Sequence, residues 1–74
     1  MRKTELAKSE LRHWAQVTHT GMSIHFAGVH PPIIDDIPHP YSCEVGDRNR
    51  EYHCGYGVTE DQAVEACYKH WLDH

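Results

Sequence analysis

The sequence predicts an α+β fold: an α-β-β-β-α two-layer sandwich, with two helices on one face of a three-stranded antiparallel sheet. Three observations carry this. Apolar residues recur at helical spacing near both ends of the chain, at Ala7, Leu11, Trp14, Ala15 and Thr18, and at Val64, Cys67, Tyr68, Trp71 and Leu72. Between them lie segments that alternate with a period of two. Seventy-four residues suffice for one domain over 1–74, with one modest core.

The first helix is expected over 4–18. Thr4 is its cap, Lys3, Glu5, Lys8, Glu10 and Arg12 form its wet side, and Gly21 is its left-handed stop after His19-Thr20. Met22 to Val29 alternates as a strand, with Met22, Ile24 and Phe26 on one side and Ser23 and His25 on the other. His30 to Pro40 contains four prolines, each of which fixes φ and removes a donor, so no regular structure is expected there. Its isoleucines, Ile33, Ile34 and Ile37, flank Asp35 and Asp36. They either tuck back over the sheet edge or form a contact patch for another protein.

A strand, turn and strand follow. Tyr41, Cys43 and Val45 share one face, Gly46-Asp-Arg-Asn49 turns the chain, and Tyr52, Cys54 and Tyr56 share a face of the second strand within Arg50–Gly57. Gly55 and Gly57 are expected to let the chain swing into the last helix. Thr59 and Gln62 have the spacing of a capping box. The tryptophans Trp14 and Trp71 should meet between the helices, leaving the other sheet face open to water.

Composition narrows the function. The net charge is −4, with only seven Lys and Arg, which argues against a phosphate backbone as the main partner. Eight histidines are abundant for this length, and protonating all of them would reverse the sign of the charge between about pH 5 and 7.5. They are expected to be scattered and mostly exposed. With no apolar run near the length of a membrane span and no secretory leader, a cytoplasmic protein without membrane attachment is expected.

Zinc has ligand types available in Cys43, His53, Cys54, Cys67 and His70. Cys67 and His70 lie one helical turn apart, and Cys43 and Cys54 would face each other if the turn were centred on Arg48-Asn49. No paired-ligand motif frames the set, so the cysteines are read as small buried apolar groups, with no metal and no cofactor. No nucleophile stands beside a base with an orienting third group, so no enzyme is expected.

The run Gly55-Tyr-Gly57-Val-Thr59-Glu-Asp-Gln-Ala63-Val-Glu-Ala66-Cys67, in this element order, resembles the double-stranded-RNA-binding domain. That family enters its last helix with a Gly-x-Gly-x-Ser/Thr-Lys-Lys frame. Pro38-His39-Pro40 partly echoes the family's Gly-Pro-x-His segment before its second strand. The resemblance implies RNA contacts at Arg12 or His13 on the first helix and at His39. The family's groove-spanning lysines, however, correspond here to Glu60, Asp61 and Val64. A looser likeness, of architecture and size, is to small phage-encoded α-β-sandwich proteins, some of which act by binding and blocking a host protein.

The resulting expectation is a small inhibitor or adaptor that binds another protein, acting on a host defence or nucleic-acid machine. Its two candidate surfaces are Ile33, Ile34, Asp35, Asp36 and Ile37 in the proline loop, and Glu60 and Asp61 at the start of the last helix. A divergent RNA binder is the rival. Self-association through the open sheet face or an edge strand would give a homodimer.

Overall fold

The apolar stripe at the amino-terminal end forms α1 (Lys3–Val17) in the computed structural model, which describes residues 3–73, with side chains from residue 4 onward. Arg2, the Lys3 side chain and His74 lie outside the described residues. There follow β1 (Gly21–Phe26), β2 (Ile33–Ile34), β3 (Ile37–Pro38), β4 (Tyr41–Gly46), β5 (Tyr52–Gly57) and α2 (Glu60–Leu72). The main sheet is antiparallel with order β1-β4-β5, and β2 and β3 form a separate hairpin. Both helices pack on one face of the main sheet. No helix among the described residues is long and apolar enough to cross a membrane.

Ala7, Leu11 and Ala15 of α1 bury against Cys43 and Val45 of β4 and Ala63, Val64 and Cys67 of α2. Trp14 meets Trp71 edge-on, with ring centroids 6.3 Å apart. Thr4 Oγ1 donates to Glu65 Oε1 at 3.2 Å, and the Tyr68 hydroxyl donates to Glu10. Together these contacts set the helices side by side in the same direction. Leu72 departs from the expected stripe: it lies mostly exposed, and Ala63 takes the core position instead.

α1 ends at Val17, and its left-handed stop comes two residues before the expected Gly21. His19, at φ 57°, is the left-handed residue, and Gly21 already belongs to β1. Thr20 N donates to Ala15 O at 2.8 Å and His19 N to Gln16 O at 3.2 Å, the paired bonds of a Schellman motif. At the other helix, Gln62 N donates to Thr59 Oγ1 at 3.2 Å, as a cap should. The reciprocal bond goes one residue further back, from Val58 N to Gln62 Oε1 at 3.1 Å.

The β4–β5 loop decides more than its length suggests. Gly46 pairs with Tyr52, leaving five residues outside the ladder. Asp47 closes the loop by accepting Asn49 N on its side chain at 2.9 Å and Arg50 N on its carbonyl at 3.0 Å. Gly46 sits at φ 101°, where a side chain would strike Glu51 O. In this register Cys43 opposes Gly55, and Cys54 opposes Glu44. A turn centred on Arg48-Asn49 would shift the pairing by one residue and turn every β5 side chain to the other face.

Consequently Tyr52, Cys54 and Tyr56 do share a face, but it is the open one. His53, Gly55 and Gly57 are the buried residues of β5. The two glycines are not pivots, and neither has a positive φ. A Cβ on Gly55 would lie 2.1 Å from Cys67 N, and one on Gly57 would lie 2.4 Å from Ala63 N. They allow the small-residue face of α2 to rest directly on the backbone of β5.

The proline-rich stretch also departs from expectation, because its centre is regular. Ile34 pairs with Ile37 across Asp35 and Asp36, whose φ values of 53° and 66° mark a type I′ turn. Asp tolerates this left-handed backbone better than most residues. Ala27 N to Pro40 O at 2.8 Å carries the β1–β4 ladder into the base of this stretch, and His39 N to Pro32 O at 2.7 Å extends the hairpin's own pairing by one residue pair. Residues 27–40 therefore form an arm rooted where β1 ends and β4 begins.

Candidate functional site

The arm presents its isoleucines to solvent. Ile33 is 69% exposed, Ile34 41% and Ile37 51%, so none tucks back over the sheet edge. Ile34 and Ile37 stand opposite each other, a cross-strand apolar pair beside the acidic turn. Val29, earlier in the same arm, is also largely exposed. The isoleucines contribute little to the body's core, which draws its buried residues from α1, β4, β5 and α2.

The second expected surface lies at the same end of the molecule. β5 ends beside the start of β4, with Gly57 opposite Tyr41, and α2 begins directly beyond. Tyr41, Val58, Thr59, Glu60 and Asp61 line a cleft of about 410 Å³ there. Tyr41 also stacks on Phe26 at the root of the arm, with ring centroids 5.0 Å apart. The fold thus brings the arm and the exposed acids Glu60 and Asp61 to one end, linked by Phe26, Tyr41 and Val58. The two acids also stabilise the amino-terminal end of α2 through its dipole.

The residues implied by the RNA-binding resemblance are separated. Arg12 and His13 are exposed on α1 and line a shallow cleft with Glu5, Lys8, Ser9 and Gln16, where acidic and basic groups mix. His39 lies in the arm, and its Nδ1–H donates to Ile37 O at 2.7 Å.

Two polar clusters escaped sequence reasoning. The first surrounds His53, which is completely buried. Its Nε2 lies 2.8 Å from Glu51 Oε2, and its Nδ1 lies 2.8 Å from His70 Nδ1, one ring donating and the other accepting. Trp14 meets the same imidazole edge-on at 5.6 Å. Both ring nitrogens of this buried imidazole therefore have protein partners, as a buried polar group requires. Most described histidines are exposed, as expected; His53 is the buried exception, because the β5 register turns it inward. The signal was present in the glycines at alternate positions after it: three residues on one face, two of them without side chains, leave room for a helix.

The second cluster sits on the open sheet face. Glu44 accepts from the Tyr52 hydroxyl and from Arg48 Nη2 at 2.9 Å, and His25 Nε2 lies 2.7 Å from its Oε2. Arg48 also stacks over the Tyr52 ring at 5.3 Å. The Tyr52 hydroxyl first, and the Arg48 guanidinium second, hold the Glu44 carboxyl below its ordinary range. Burial and the bond to Glu44 push the Tyr52 phenol up.

The cysteines divide by face. Cys43 and Cys67 are buried against each other, whereas Cys54 lies on the open face and does not meet Cys43. The Cys43 side chain and burial raise the Cys67 thiol, and its Sγ donates weakly to His53 O at 3.6 Å. His70 turns to His53, on the helix side of the sheet, away from Cys54. Among the described residues, no group of three or more His, Cys, Asp and Glu side chains converges as metal ligands would.

No family model, curated protein or solved structure matches this chain.

Proposed function

We propose that the chain is a small non-enzymatic protein-binding module, an inhibitor or adaptor, that engages its partner with the 27–40 arm and the neighbouring start of α2. The observation that carries this reading is the exposure of Ile33, Ile34 and Ile37 on a hairpin held out from the core. Exposed isoleucines on an ordered turn are costly unless something covers them, and apolar groups rimmed by charge are the usual composition of a binding patch. Asp35, Asp36, Glu60 and Asp61 supply that rim and favour a partner surface bearing Lys and Arg.

Surfaces of that kind occur on nucleic-acid-processing and defence proteins, and a short acidic chain on a scaffold resembling the double-stranded-RNA-binding domain suits a phage-encoded inhibitor of one. The same acids repel phosphate where that family places lysines.

The test is capture from a host lysate with the wild-type chain, followed by mass spectrometry. Ile33→Ser with Ile37→Ser, and separately Glu60→Lys with Asp61→Lys, should each abolish capture while far-UV circular dichroism stays unchanged. Tight binding to duplex RNA that weakens steeply with salt, and is lost with Arg12→Ala or His39→Ala, would overturn the proposal in favour of RNA recognition.

A further inference from the structure

The main sheet has two edges, β1 and β5, and the hydrogen-bond phase of each can be read from bonds just beyond the strands. Ala27 N donates to Pro40 O in continuation of the β1–β4 register. Opposed residues in an antiparallel pair alternate between bonded and non-bonded pairs. Gly21, Ser23 and His25 therefore point their backbone groups at β4, and Met22, Ile24 and Phe26 point theirs away from it. Asp47 N donates to Glu51 O, which fixes the phase of β4 against β5 in the same way and agrees with this assignment. No strand lies beyond β1 among the described residues.

That edge lacks the usual guards. It has no proline, no lysine and no charged side chain other than what His25 gains on protonation. Its outward-bonding residues are also its apolar ones. Met22 and Ile24 are half-buried against the helices, and Phe26 remains 63% exposed.

From this arrangement we infer that β1 pairs with β1 of a second copy of the chain, antiparallel about a two-fold axis at Ile24, making a continuous six-stranded sheet. The axis at Ile24 is the position at which the edge complements itself. It sets Ile24 against Ile24 of the second copy in a bonded pair and Met22 against Phe26 in two more, so every outward amide and carbonyl of Met22, Ile24 and Phe26 is satisfied. On the helix side the three apolar residues from each copy then cover one another. On the open side Ser23 faces His25, and no like charges oppose.

The β5 edge offers less. Its bonding groups belong to Tyr52, Cys54 and Tyr56, and on the helix side α2 already seals Gly55 and Gly57, leaving no apolar side chain to bury. Pairing through β1 also places the two arms at opposite ends of the long sheet, so one dimer displays two binding tips.

Sedimentation velocity across a concentration series tests this. The wild-type chain should sediment at twice its chain mass. Phe26→Lys should return it to the monomer, because the lysine would face Met22 of the second copy. Met22→Pro should do the same and remain folded by circular dichroism, because the lost N–H points away from β4. A wild-type chain that stays monomeric, or a dimer that survives both substitutions, would refute the inference. A dimer lost with Tyr56→Lys but not with Phe26→Lys would refute it by placing the contact at β5.

Discussion

The β5–α2 seam and the 27–40 arm are built on opposite principles. In the seam, a helix of small residues lies on a strand whose inward positions are His53, Gly55 and Gly57, so close that a single methyl group would collide with backbone. In the arm, large β-branched residues stand in solvent on a two-residue turn held by aspartates. Apolar bulk is thus absent where the molecule is tightest and present where it is barely packed. Packing density, and not the count of apolar residues, identifies the structural region, and unpacked apolar area is what singles out the arm as the proposed contact surface.

The largest test of that contrast is Gly55→Val. The Cβ alone would lie 2.1 Å from Cys67 N, so α2 must lift from the sheet, with a loss of about 4 kcal/mol or more in chemical denaturation. Next is His53→Ala, which empties a fully buried site beside Trp14 and leaves Glu51 and His70 without their shared ring. A loss of about 3 kcal/mol is expected. On the other side of the comparison, Ile33→Ser and Ile37→Ser should change the denaturation midpoint by no more than about 0.5 kcal/mol while removing partner capture. A large destabilisation there would mean that the arm is part of the core.

Two stabilising substitutions sharpen the picture. His19→Gly and Asp36→Gly each relieve a left-handed residue that carries a side chain, at φ 57° and 66°, and should raise stability by about 0.5–1 kcal/mol in thermal melts. Only Asp36→Gly, which lies in the arm, should also alter partner affinity.

The pH dependence of stability should show Glu44. Its folded-state pKa is depressed, chiefly by the Tyr52 hydroxyl and then by Arg48. A depressed carboxylate adds stability above its unfolded value and loses it as pH falls through the folded value. Below the ordinary glutamate range, about 4.3, wild-type stability should fall more steeply than that of Glu44→Gln. Parallel acid limbs would show that the cluster contributes nothing.

Much of the body was legible from residue order. The stripe Ala7-Leu11-Trp14-Ala15 lies on the core side of α1, Thr59 caps α2, and Trp14 meets Trp71. These features depend on neighbours within one or two helical turns, or on the one face that each helix can bury. The inward face of β5 was not legible. Tyr52, Cys54 and Tyr56 look like a core face by hydropathy, and only the five-residue loop with its Asp47 bonds sets the phase that turns them outward. Of the candidate surface, the residues were identifiable as an unusual apolar and acidic loop. Their ordered hairpin, and their place beside Glu60 and Asp61, depend on where β1, β4 and β5 end together.

By itself, then, the sequence determined the element order, the buried stripes of the helices and the acidity of the α2 start, because periodicity and charge are properties of short stretches of chain. Tertiary structure alone decided which side of β5 faces α2, that a histidine would be buried between Glu51, His70 and Trp14, and that two distant surfaces would share one end. Those outcomes rest on strand register and on how closely a helix can approach a glycine backbone, and both are settled only when the separate elements pack together.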